Sequence, residues 1–229
     1  MFGCVRTVAG PLRRAPLIRS EAMDNNFGFE HIDSGYLDVL KEIGNIGAGN
    51  ATTALAQMLQ RKVDMKVPQA ALLEFRDLGE VIGGEETIMA GVYMVVEGDI
   101  RGSMMFLLEK ESARHLADQM LGGFGSSESG DFGEMEISVL QEIGNIMTGS
   151  YLNSLSDLTG LKIFPSVPEI AIDMAGAILS VPAIEFGMLG DRILMIQTRF
   201  TDDMDIDGFF ILVPDLDSYH KIMESLGMA

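Results

Sequence analysis

The chain has 229 residues, 47% of them hydrophobic, with a net charge of −18 and a single cysteine. That length and apolar content suffice for a sizeable core, as one large domain or two fused halves, whereas the negative charge argues against nucleic acid and anionic membranes, whose phosphates call for basic patches. No apolar run approaches the ~18 residues of a membrane span and a lone Cys4 excludes an internal disulfide framework, so a cytoplasmic, reducing location fits.

The first 22 residues stand apart. They hold Arg6, Arg13, Arg14 and Arg19 against one acid, Glu21, in an otherwise acidic chain. An Arg-rich, acid-poor start also suits a transit peptide, but nothing downstream looks organellar. The reading is a disordered extension over residues 1–25, upstream of a natural start near Met23, followed by a single domain over 26–229.

From Ser34 to about Gln60 the spacing predicts a long helix, ending before the β-rich Val63–Val67. Gly44, Gly47 and Gly49 lie inside it, each costing ~1 kcal/mol relative to alanine, and close approach of a second helix is the expected compensation. After Pro68 a short helix is predicted over Gln69–Leu78, then a strand over Thr87–Glu97. Gly98-Asp99 turns the chain into a second strand at Ser103–Leu108, and a helix over Glu111–Leu121 closes the first half. The Gly/Ser/acid run from Gly122 to Gly133 reads as a linker.

The second half repeats this order. A helix is predicted over about Glu134–Thr159, a strand over Lys162–Val167, a short helix around Ala171–Leu179, a hairpin over Ala183–Val213 and a helix over Leu216–Leu226. Pro68 and Pro168 stand 100 residues apart, and Gly102 and Leu121-Gly122 recur as Gly208 and Leu226-Gly227. These anchors point to a duplication, with repeats at about 34–122 and 134–227. The fold expected is α/β (α+β), internally duplicated about a pseudo-twofold axis, with a central antiparallel-rich sheet and two long helices side by side on one face.

The most informative recurrence is the stretch Asp38-Val39-Leu40-Lys41-Glu42-Ile43-Gly44-Asn45, which returns as Ser138-Val139-Leu140-Gln141-Glu142-Ile143-Gly144-Asn145. In a helix, Asp38, Glu42 and Asn45 share one stripe, and Leu37, Leu40, Ile43 and Ile46 are assigned to the other. One such stripe is what any solvated helix face displays. Two copies that both keep a carboxylate and a carboxamide three residues apart ask for a shared chemical task.

Other signals are weaker. Gly44–Gly49 imitates a phosphate-cradling loop but falls inside a helix, and the second copy has Met147 where the first has Gly47. Asp203–Gly208 imitates the start of a calcium loop, but Pro214 stands where a bidentate glutamate is required, so it is read as a hairpin turn. Asn50-Ala51-Thr52 matches a glycosylation acceptor by chance. His31, His115 and His220 have no metal-ligand spacing, and the 17 methionines are read as core filler. No Ser/His/Asp or Cys/His constellation appears.

Carboxamides do not titrate, so Asn45 and Asn145 can only donate and accept hydrogen bonds in fixed geometry, which suits orienting a water. Phosphoryl transfer is driven by such positioning together with charge stabilisation. A glutamate one turn earlier can pair with a lysine at the rim of a partner's phosphorylated site and hold the helix in register. The doubled pattern Asp/Ser-x-x-x-Glu-x-x-Asn, on long helices about 100 residues apart, resembles the CheC/CheX/FliY phosphatases of bacterial and archaeal chemotaxis. With both motifs present and nothing after Ala229, the chain most resembles the CheC branch, over about Asn26–Gly227.

The resemblance implies a monomeric protein that hydrolyses the aspartyl-phosphate of the response regulator CheY. Glu42 and Asn45 would form one catalytic site and Glu142 and Asn145 the other, with Asp38 and Ser138 in supporting roles. It implies no cofactor or metal bound by this chain, only the Mg²⁺ carried by CheY. It further implies binding of the receptor deamidase CheD through a short helix over Ile172–Ile178, with Asp173 as a contact. The rival expectation is a non-catalytic CheY-binding scaffold like the flagellar switch protein FliM, which loss of Glu or Asn from the motifs would favour.

Overall fold

A computed structural model describes residues 34–59, 62, 64–122, 131–186, 192–201 and 205–227. Helix α1 (Ser34–Leu59) is followed by strand β1 (Asp64–Glu74), a 3₁₀ turn over Phe75–Asp77 and the single-turn helix α2 (Leu78–Val81). Strands β2 (Ile88–Gly98) and β3 (Gly102–Glu109) and helix α3 (Lys110–Met120) complete the first half. The second half runs α4 (Glu134–Thr159), β4 (Ile163–Pro165), β5 (Glu169–Met174), α5 (Ala175–Phe186), β6 (Arg192–Thr201), β7 (Asp205–Pro214) and α6 (Leu216–Ser225).

All seven strands join one antiparallel sheet in the order β1-β6-β7-β3-β2-β4, with β5 continuing the β4 edge along β2. Each half donates its first strand to the other half's hairpin: β1 pairs with β6, and β4 and β5 pair with β2. The registers match. Leu72 faces Leu194 on one side and Ile172 faces Ala90 on the other, equivalent positions once 100 is added along β1 and 104 along β2. At the midline Gly102 faces Pro214 and Leu108 faces Gly208, so the pseudo-twofold axis passes through the Met105–Ile211 pair.

Both sheet faces are covered, which is why β3 is buried at every position but its last. One face packs α2 and α5, through Leu78, Ile82, Ala175, Ile178 and Leu179, onto Met105, Leu107, Phe209 and Ile211. The other carries α1 and α4. Tyr151 of α4 stacks on Phe210 at 4.1 Å between ring centres, Phe210 stacks on Phe106 at 4.6 Å, and the Tyr151 hydroxyl shares a 2.8 Å hydrogen bond with Thr198 Oγ1. Burial pushes the Tyr151 phenol up to about 12, against the lowering effect of that bond. Among the described residues no helix is long and apolar enough to cross a membrane.

Two expected helices are corrected. Gln69–Glu74 belongs to β1 and only Leu78–Val81 is α-helical, because pairing with β6 overrides the helix propensity of Ala70-Ala71-Leu72-Leu73-Glu74. Likewise Glu169–Met174 is strand β5, held against β2, and the helix begins only at Ala175. Pro68 does not end β1. It sits in a bulge, the register stepping between Lys66 and Gln69, where a missing N–H is tolerated.

Candidate active site

Both motif stripes lie outward on the helix layer. Asp38, Glu42 and Asn45 are exposed on α1, and Ser138, Glu142 and Asn145 are exposed on α4. Ile43 and Gly44, and their counterparts Ile143 and Gly144, are buried beneath them. Among the described residues the side chains of Glu42, Asn45, Glu142 and Asn145 take no hydrogen-bond or ion-pair partner. Their polar atoms are therefore available to an incoming group. The Ser138 hydroxyl donates to the Glu134 carbonyl at 2.9 Å, a bond along its own helix.

The glycines set the height of each stripe over the sheet. A Cβ at Gly44 would stand 3.0 Å from a Val67 methyl and 3.1 Å from an Ile196 methyl, and one at Gly144 would stand 2.6 Å from both Val92 methyls. Ile196 and Val92 are equivalent positions of β6 and β2. The glycine between glutamate and asparagine is thus where each motif helix rests on the sheet. The expected helix–helix approach is found at Gly47, where a Cβ would stand 2.8 Å from the Tyr151 ring. At Gly49 and Gly149 nothing lies within 4 Å.

Ile46 departs from its expected place. It is 36% exposed, because it follows Glu42 by four residues and so shares the polar stripe's side of α1. Ile146 is half-buried at the same position of α4. An apolar contact thus stands beside the Glu/Asn pair, a feature the i, i+4 count from Glu42 alone would have revealed.

The two pairs stand apart on the helix layer. Gly47 packs on Tyr151, and Ile43 shares a small apolar gap with Leu155, so α1 and α4 run antiparallel. In that register residue 153 lies across from Asn45, which puts Asn45 and Asn145 about 12 Å apart along the axes at 1.5 Å per residue. A single small group cannot reach both.

The start of α4 is braced from several directions. The buried Glu136 carboxylate accepts the Gly133 N–H at 2.6 Å and lies 3.5 Å from the Arg114 guanidinium, which itself stands 4.5 Å over the Phe132 ring. The Gln141 carboxamide donates to the Pro168 carbonyl at 3.4 Å, where α1 carries Lys41 at the equivalent place. Asp173 is exposed at the end of β5, where its carboxylate accepts the Met174 N–H at 2.7 Å. The stretch Ile172–Ile178 therefore straddles a strand and a helix start rather than forming one helix.

A doubled Glu/Asn helix stripe on a pseudo-twofold sheet places the chain in the CheC-like family, to which it belongs. The family's sequence profile matches residues 37–71 and 135–172, once for each motif and the strand after it. The chain is 38% identical over 204 residues to the protein named CheY-P phosphatase CheC of Bacillus subtilis, covering 87% of this chain and 97% of that one. In fold it is similar to Thermotoga maritima FliY, with a TM-score of 0.67, 23% identity and coverage of 86% and 98% of the two chains. It is likewise similar to the FliM middle domain of H. pylori, with a TM-score of 0.63, 11% identity and coverage of 85% and 99%.

Proposed function

We propose that this protein is a phosphatase of phosphorylated CheY, acting in the cytoplasm as a monomer with two sites. The observation that carries the proposal is the pair of outward Glu/Asn stripes, each seated by a buried glycine and each open to a partner. The 38% identity to a CheY-P phosphatase over nearly the whole length supports it.

In this reading Asn45 or Asn145 enters the phosphorylated site of CheY and orients the attacking water in line with the phosphoryl bond. The carboxamide oxygen accepts a hydrogen bond from the water and its NH2 donates one to a phosphoryl oxygen, moving no proton itself. Glu42 or Glu142, one helical turn earlier, pairs with a cation at the rim of that site and fixes the depth of insertion. Asp38 and Ser138 line the edge of the docked helix. The Mg²⁺ that neutralises developing charge is held by CheY, and no metal is required of this chain. CheD would dock separately, on the β5–α5 junction that carries Asp173.

Phosphate loss from CheY, charged with acetyl phosphate in Mg²⁺, tests the division of labour. The Glu42→Gln/Glu142→Gln protein should show a KM about fivefold higher with kcat little changed, as for a lost exposed charge contact of about 1 kcal/mol at each site. If wild-type protein leaves the lifetime of phosphorylated CheY unchanged, the FliM-like scaffold reading replaces this one.

A further inference from the structure

The two sites, equivalent in sequence, differ in what stands beside them. Val67 and Val167 occupy the same place in the two repeats, one residue before Pro68 and Pro168. Their registers are also equivalent: between β1 and β6 residues 66–68 lie opposite 198 and 199, and between β4–β5 and β2 residues 166–168 lie opposite 94 and 95. Yet Val67 is 5% exposed and Val167 is 82% exposed.

In the first half the valine points under α1, where its methyl stands 3.0 Å from the position a Cβ of Gly44 would take. In the second half the valine has turned out to solvent. There α4 sits closer to the sheet, a Cβ at Gly144 reaching Val92 at 2.6 Å where one at Gly44 reaches Ile196 at 3.1 Å. The outward segment is held by its own bonds. Val95 N–H donates to Ser166 Oγ at 3.0 Å, Ser166 N–H donates to the Val95 carbonyl at 2.8 Å, and Gln141 ties the Pro168 carbonyl to α4.

Gln141 lies three residues after Ser138 and four before Asn145, on the same ridge of α4. The segment it anchors is therefore continuous with the second stripe, and Val167 forms an apolar shoulder next to it. From this placement we propose that Val167 is a partner-contacting, specificity-determining residue of the second site, packing against the phosphorylated CheY domain when Asn145 is inserted. At the first site the equivalent valine, Val67, is buried and offers no such shoulder. This inference rests on the phosphatase reading above.

Steady-state hydrolysis of phosphorylated CheY by full-length protein tests it. In an Asn45→Ala background, where the second site alone turns over, Val167→Ser should raise KM about fivefold with kcat within about twofold, the effect of losing the burial of about one methyl group. The exposed position leaves the unfolding temperature as a control for fold. An unchanged KM in that background, or an equal rise in the Asn145→Ala background that isolates the first site, would overturn the proposal while leaving the phosphatase intact. Failure of wild-type protein to speed hydrolysis would overturn both.

Discussion

Replacing the motif glycines by alanine should separate the two copies of the site. At Gly144 the new methyl would stand 2.6 Å from both Val92 methyls and 2.7 Å from its Cβ, about 1 Å inside the ordinary 3.5–4.0 Å carbon contact. Rotating Val92 cannot relieve a clash with its own branch carbon. Overpacking of this kind costs about 1–3 kcal/mol, and the gain in helix propensity offsets only ~1 kcal/mol of it. At Gly44 the closest atoms are single methyls at 3.0 and 3.1 Å, an overlap of about 0.5 Å that the same propensity gain can balance. Gly144→Ala should therefore lose up to about 2 kcal/mol in urea unfolding and Gly44→Ala less than about 0.5 kcal/mol, both with an unchanged m-value. Lifting α4 by even about 1 Å also displaces Glu142 and Asn145, so second-site turnover should fall by more than the stability loss explains. A Val92→Ala partner mutation should recover part of both losses, giving a non-additive cycle. Equal effects at the two glycines, or strict additivity with Val92→Ala, would refute the seating argument.

Tyr151 should ionise well above the ordinary tyrosine range. Its phenol, raised from 10.0 to about 12, stays neutral in the folded chain where an unfolded tyrosine would already be charged. The associated stability is present in full below pH 10 and is lost as the pH rises toward 12, readable by tyrosinate absorbance together with thermal unfolding. Glu136→Ala should cost about 2–3 kcal/mol, since it removes the brace on Gly133 and strips Arg114 of a buried carboxylate; urea titration checks it. Asp173→Ala should leave the unfolding free energy within about 0.5 kcal/mol, as for an exposed side chain, and under the proposed docking at the β5–α5 junction it should weaken CheD binding measured by calorimetry.

The recurring eight-residue motif made the long helices, their exposed stripes and the duplication legible before any coordinates, because a helix face is a local, periodic property. The β1 and β5 segments were not legible in the same way. Ala70–Glu74 and Ala171–Met174 are fair helix formers alone, and only pairing with β6 and β2 makes them strands. The glycines announced close approach without naming the neighbour, which is the sheet at Gly44 and Gly144 and the second helix only at Gly47. Ile46 joins the apolar stripe when counted from Ile43, although its spacing from Glu42 puts it on the exposed side. The opposite fates of Val67 and Val167 lie beyond the reach of sequence, since both precede a proline in equivalent registers and differ only in how the strand passes the helix.

The most direct measurement is phosphate release from CheY by the Asn45→Ala/Asn145→Ala protein, with its binding to phosphorylated CheY followed in parallel. Retained binding with hydrolysis reduced to the intrinsic rate of CheY is the result predicted if each carboxamide positions the water. Hydrolysis at or near the wild-type rate without either asparagine would place the catalytic group elsewhere and contradict the account.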